Sequence, residues 1–356
     1  MSNTPMRQRL LLILAALVVV FAATHLHLQP RATSKADDVK LLAISASGVY
    51  WVNQLKDGPA TLWRAPRVGQ TGQQIAAAAD LRSLAAAGKD LFYLTEDKQP
   101  DSGQLWRVRA GGGAPQSLLP GLRSPQALLA TGGQLYWTET RPSPAPGLAC
   151  VPVLQPLSLI MRANLDGQGR ALLSVSESAE AHFTGKFLGV RSGQFYWLQH
   201  FGQQYSRPTT MISRVPLQGG PATQLAREDG RQDAVLAGRA LYWTAPSEEM
   251  SPALSGRTVR CVPLSGGDPR TLTDWLTPDG SLLLVGQRPY YCDQTYLWRI
   301  PARLGEARPV AQPKLDPNCL ATYGDTVYGR VKSSDGSHLG RLPLTVGARL
   351  RGLIGP

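Results

Sequence analysis

From residue 39 onward the chain alternates short apolar runs with polar or glycine-rich breaks, and no stretch sustains an apolar period of 3.6 residues. Such runs, rich in Val, Leu, Tyr and Trp and bounded by Gly, Pro, Ser and Asp, predict short β-strands joined by turns. One aromatic step recurs, as GVYW (48–51), LFYL (91–94), LYWT (135–138), FYWL (195–198), LYWT (241–244), PYYC (289–292) and VYGR (327–330). Its anchors are Tyr50, Phe92, Tyr136, Tyr196, Tyr242, Tyr290 and Tyr328, spaced by 42, 44, 60, 46, 48 and 38 residues. A four-stranded propeller blade takes about 40–50 residues.

A second motif follows each aromatic step: LWRAPRVG (62–69), LWRVRAGGG (105–113), IMRANLDG (160–167), ISRVPLQGG (212–220), VRCVPLSGG (259–267), LWRIPARLG (297–305) and LGRLPLTVG (339–347). Its arginines are Arg64, Arg107, Arg162, Arg214, Arg260, Arg299 and Arg341. Two motifs in seven copies and fixed order predict an all-β, seven-bladed β-propeller over residues 39–354. Blades are expected near 39–80, 81–123, 124–179, 180–230, 231–277, 278–315 and 316–354. A lone twisted sheet leaves both faces unburied, whereas sheets packed around an axis cover one another. The repeat begins on an innermost strand (Leu41–Ser45) and ends on an outermost one (Leu350–Ile354). First and last blades therefore share no strand, and closure is expected to rest on face packing.

In the third unit, LYWTET (135–140) followed by IMRANLDGQGRALL (160–173) resembles the YWTD repeats of low-density-lipoprotein-receptor propellers. The other units resemble bacterial propellers with degenerate versions of that repeat. The resemblance implies the fold and no ligand residues. Glu139 and Ala245 stand where the repeat has its aspartate, and those receptors are usually six-bladed.

The N-terminus adds a compartment. Leu10 to Ala23 are uninterruptedly apolar and follow Arg7 and Arg9, which predicts a signal peptide or signal anchor over 1–28, then a polar linker over 29–38. Val20-Phe21-Ala22 offers a small-x-small cleavage site, yet extension to Leu28 brings the run near the ~20 residues that span a bilayer. An uncleaved membrane anchor with an exported propeller, periplasmic or extracellular, is the favoured reading; cleavage would make the protein secreted. Cys150, Cys261, Cys292 and Cys319 all lie beyond this segment, where disulfides are permitted. Cys292 ends a second strand and Cys319 opens the next first strand, so these two are the expected pair. A Cys292–Cys261 bridge and four free thiols are the alternatives. No Cys or His spacing suits a metal, and no cofactor is expected.

A net charge of +12 and a pI of 9.8 raise the question of nucleic acid. The basic residues are scattered along the sequence, many at the repeated Arg, so no nucleic-acid partner is expected. The charge does permit attraction to anionic membrane or cell-wall polymers. In this strand order the fourth-to-first and second-to-third connections share one face, where propeller ligands usually bind. Candidate binding residues there are Arg123, Gln126, Glu139, His182, His200, Gln232, Asp233, Asp293 and Asn318. The longest excursion, RPSPAPGLACVPVLQP (141–156), is expected to rise over that face as a proline-stiffened insertion. The repeated Arg is expected to be structural. With no GxSxG, HExxH or phosphate-cradling loop, the favoured function is a binding or scaffold protein for a protein, peptide or cell-envelope polymer. The alternative is a propeller enzyme, lyase, lactonase or quinoprotein-like, with its site in the central channel.

Overall fold

The computed structural model describes residues 39–344 except 55–58, 67–71, 79, 97–101, 110–111, 145–153, 178–183, 203–207, 248–255, 274, 313–314, 318–319 and 334–335. Within them lie seven antiparallel sheets, over 39–78, 81–122, 126–177, 185–229, 234–271, 281–311 and 320–343. The first six have four strands in sequence order and the last has three among the described residues. The first strand of each sheet lies beside the first strands of the sheets before and after it, and that of blade seven lies beside that of blade one. This is a seven-bladed β-propeller with the first strands around its axis. The expected N-terminal segment, the linker and the strand over 350–354 lie outside the described residues.

The aromatic pair explains why the blades pack. Side chains alternate across a strand, so the two aromatics of each step point into different seams. Tyr136 packs with Phe195 and Trp197 of blade four, their rings stacking from Phe195 at 4.7 Å and 6.2 Å, while Trp137 packs with Phe92 and Leu94 of blade two. The same division holds at Tyr196 and Trp197, which enter the seams with blades five and three. Seven hydrophobic clusters result, one for each seam. Trp51, Trp137, Trp197 and Trp243 are among the largest fully buried side chains. Glycines shape the tight first-to-second turns: Gly132 and Gly133 both take positive φ, 59° and 78°, which side chains with a Cβ adopt only under strain.

Register confirms the repeated Arg at six positions and corrects the seventh. Arg64, Arg107, Arg162, Arg214, Arg299 and Arg341 each lie directly opposite the aromatic anchor of the neighbouring strand. In blade five the residue opposite Tyr242 is Cys261, and Arg260 lies opposite Trp243 on the other face. There Arg260 pairs at 3.1 Å with Glu228 of blade four. Two of the six tie neighbouring blades together. Arg162 donates to the Leu217 carbonyl of blade four at 2.6 Å, and Arg214 repeats this on Leu264 of blade five at 3.1 Å.

Among the described residues the ring closes through side chains. Val39, Val49, Trp51 and Ala65 of blade one bury against Leu339 and Tyr328 of blade seven. Arg330 of blade seven, ion-paired with Asp316, donates to the Val39 carbonyl at 3.4 Å. No strand is shared between these two sheets among the described residues.

Candidate functional site

The second and third strands of blade three, Gln134–Pro144 and Leu154–Asn164, are longer than any others in the ring. They pair along their whole length, from Gln134 opposite Asn164 to Pro144 opposite Leu154. Their neighbours stop short: the first strand ends its pairing at Thr138 and the fourth at Leu157. Among the described residues, the pair runs on beyond Arg141 and Leu157 as a two-stranded ribbon with no strand paired on either side. Pro142, Pro144 and Pro156 lie in this part, where missing N–H groups keep an exposed edge from recruiting further strands. The ribbon tip, with Cys150, lies outside the described residues.

Three expected site residues gather at the ribbon base. The Thr140 amide donates to the Arg123 carbonyl at 3.0 Å, and Gln126 lies opposite Thr138. Glu139 is buried, its Oε1 accepting from the Trp137 indole at 2.9 Å and from Arg170 at 2.6 Å. Glu139 thus anchors the ribbon and is not presented to a ligand.

A second group joins blades four and five. The Thr210 hydroxyl gives its one proton to the Gly230 carbonyl at 2.7 Å and accepts from the Gln232 amide at 2.9 Å. His200 Nδ1 lies 2.9 Å from the same oxygen and must be the donor there, which sets the tautomer. The Gln232 side-chain oxygen accepts from Thr244 at 3.0 Å, and Thr244 Oγ1 accepts from the Asp233 amide at 2.9 Å. Asp233 then spans three blades. Its carboxylate receives Lys186 of blade four, its own neighbour's Ala234 amide at 2.8 Å, and the Leu282 amide of blade six at 2.8 Å. The sequence pointed to His200, Gln232 and Asp233, but not to Thr210, Thr244 or Lys186 that link them. Thr244 follows an aromatic pair, as Thr138 does, and that position was the available signal.

Asp293 stands apart in blade six and is 3% exposed. Oδ1 accepts the Thr295 and Tyr296 amides at 2.8 and 2.6 Å, and Oδ2 accepts Thr277 at 3.0 Å and the Trp298 indole at 2.8 Å. The amide and indole bonds hold the connection between two strands and the Thr277 bond ties it to the segment before the blade's first strand, a framework role. His182 and Asn318 lie outside the described residues. Beside Asp293, Cys292 is a buried free thiol donating to the Asp293 carbonyl at 3.6 Å. Cys319, its expected partner, lies outside the described residues.

Burial pushes the Cys292 thiol from its ordinary 9.0 up to about 12, aided by the Asp293 and Asp316 charges. Burial likewise raises Tyr93 and Tyr291 from 10.0 to about 12. For each group the folded state favours the protonated form. The resulting stability is present below the unfolded pKa and is lost as pH rises through the folded one. The urea midpoint of the reduced protein is therefore expected to fall as pH climbs from 9 toward 12. Cys292→Ala should delay the onset to about pH 10, where the tyrosines begin to titrate in the unfolded chain. A midpoint indifferent to pH across that range would contradict these burials.

The first strands around the axis are mostly Leu, Ala and Val. Among the described residues no three His, Cys, Asp or Glu side chains come together as a metal-binding group. Among the described residues, the rim carboxylates Glu139, Asp233 and Asp293 are engaged by framework donors, and the blade-three strands pair beyond their neighbours.

The class is thus a seven-bladed β-propeller. No family model matches the chain, and no curated protein matches it by sequence. Solved structures match its fold. The β-propeller domain of the Trilobed protease from Pyrococcus furiosus, described as having an open velcro topology, is 12% identical with a TM-score of 0.58, over 87% of this chain and 94% of that one. A prolyl endopeptidase is 16% identical with a TM-score of 0.60, over 89% and 48% of the two chains. Pyrococcus horikoshii acylaminoacyl peptidase is 11% identical with a TM-score of 0.59, over 88% and 53%. The chain spans about half the length of those two peptidases. At these identities the likeness shows the fold alone.

Proposed function

We propose that this chain is an exported β-propeller that binds or scaffolds a protein, peptide or envelope polymer through the rim bearing the blade-three ribbon. The observation that carries the reading is the ribbon itself, paired beyond both neighbouring strands and rising from a rim cross-tied between blades. Binding residues concentrate on projecting segments held by a rigid frame. The carboxylates of Glu139, Asp233 and Asp293 are engaged by framework donors, which suits a platform better than acid–base chemistry. The likeness to propeller-bearing peptidases favours a second reading, a propeller enzyme with its site in the central channel, and detection of turnover by the isolated full-length chain would bring it forward.

The test is a photo-crosslinking residue at Arg141, on the exposed arm of the ribbon, in the full-length chain within its own envelope. A discrete adduct is expected, lost when 142–156 is replaced by a two-residue Asn-Gly turn that joins Arg141 to Leu157. An unchanged adduct in the shortened variant, or none in the parent, would sink the reading. Protease accessibility of the propeller in spheroplasts checks export; protection would count against it.

A further inference from the structure

The face opposite the ribbon gathers charge that the linear sequence disperses. First-to-second and third-to-fourth turns share this face: the Leu264 amide donates to the Arg239 carbonyl at 2.9 Å, Leu344 to Asp325 at 2.8 Å, and Gly286 of blade six to Gly324 of blade seven at 3.0 Å. Because the turns of successive blades meet on this face, arginines far apart in sequence arrive on one surface. In the turns of blades five and six the exposed cations are Arg239, Arg270, Arg288, Arg299, Arg303 and Arg308. The exposed acids beside them are Asp268, Glu306 and, from the adjoining turn of blade seven, Asp325. On the opposite rim of these blades the exposed charges among the described residues are Arg231 and Asp279. Among the described residues, the asymmetry is between the two faces of these blades.

We propose that this arginine arc binds a linear polyanion, a chain of closely spaced phosphate groups, so that the propeller has a second binding face. Every exposed cation of the arc is a guanidinium, whose planar fork takes phosphate oxygens two at a time. The arc follows successive turns around the axis, a path that a flexible anionic chain can track while engaging several cations together. Neighbouring like charges reinforce one another's field, which draws the polyanion in and makes the interaction salt-sensitive. The competing occupant is an anionic lipid surface, because Leu304 and Tyr323, 68% and 46% exposed, share this face. Two apolar side chains contribute little buried area to a leaflet, so the arginines favour the polymer. The inference deepens the proposed role as an envelope binder and rests on residues that the ribbon does not use.

The experiment is fluorescence anisotropy of labelled linear polyphosphate with the full-length chain, at low and at high salt. Binding is expected at low salt and is lost as salt rises. Reversal of Arg239, Arg288, Arg303 and Arg308 to Glu should weaken it by about tenfold or more, since exposed pairs contribute modestly one by one and act here as a set. The matched doubles Arg303→Glu/Arg308→Glu and Arg227→Glu/Arg231→Glu change net charge equally, and only the first should weaken binding. Equal losses from both doubles would reduce the effect to net charge and overturn the site, as would full retention by the fourfold variant. Binding confined to phosphatidylglycerol vesicles and abolished by Leu304→Ser would assign the face to lipid instead. Crosslinking from Arg141 is unaffected by any of these outcomes, so failure here and failure of the ribbon reading are separable.

Discussion

Trp51→Ala is expected to destabilise the propeller by about 3–5 kcal/mol, the range for deleting a fully buried Trp or Phe side chain. Trp51 is 0% exposed and fills the seam between blades one and seven, where it stacks on Trp63 at 6.3 Å between ring centres. A Cβ at Gly72 would lie 2.5 Å from its ring, so the surroundings are built to its outline. Collapse into the space it leaves would have to move whole sheets, which holds the cost near the top of the range. The effect is a large share of a typical stability of about 5–15 kcal/mol. Urea unfolding at pH 7 measures it, with Trp275→Ala as comparison, because Trp275 is 51% exposed. That variant should stay within about 0.5 kcal/mol of the parent. A loss below about 1 kcal/mol for Trp51→Ala would mean that the closing seam does not hold the ring.

The second large effect is expected at Asp293. Replacement by Ala strands four donors at a nearly dry position, the Thr295 and Tyr296 amides, the Thr277 hydroxyl and the Trp298 indole. Hydrogen bonds to a charged acceptor contribute about 1.5–3 kcal/mol each but do not add in full, so a total near 3–4 kcal/mol is expected. Asp293→Asn is the informative variant. Its single carbonyl oxygen can keep either the two amides or the Thr277–Trp298 pair. Thr277 can turn to accept from the new NH2 group, whereas an indole N–H can only donate. Asn should therefore cost roughly half as much as Ala, with a shift in Trp298 emission. Equal stability of parent and Ala variant would remove Asp293 from the framework.

The fold was legible because one physical requirement repeats. Each sheet must cover two faces, and the Tyr-Trp step supplies one aromatic to each, so the requirement is written seven times over. The error at Arg260 shows the limit of reading by residue type. Aligned on Pro-Leu-x-Gly-Gly, the motif at 259–267 places Cys261, not Arg260, opposite the anchor, and only strand register shows which face a side chain joins. The site was less legible. Strand ends near the rim point to His200, Gln232 and Asp233, which the structure links through Thr210 and Thr244. What each does depends on bonds across blades, such as Asp233 to Leu282, 49 residues on. Charge position is likewise hidden in the linear order: arginines scattered along a line become neighbours when the line is wound into a ring with one turn per blade.

The manner of closure has a mechanical corollary. Among the described residues each sheet is hydrogen-bonded within itself, and the joint between blades one and seven is made by Val39, Trp51, Leu339 and their neighbours. A shared closing strand would resist tension along its ladder, all bonds loaded at once. A joint of side chains loaded from its margin parts contact by contact, as a seam peels. Tension applied through the first residues of blade one is therefore expected to open the ring there before any other blade yields, and single-molecule traces should show one small early step followed by larger ones.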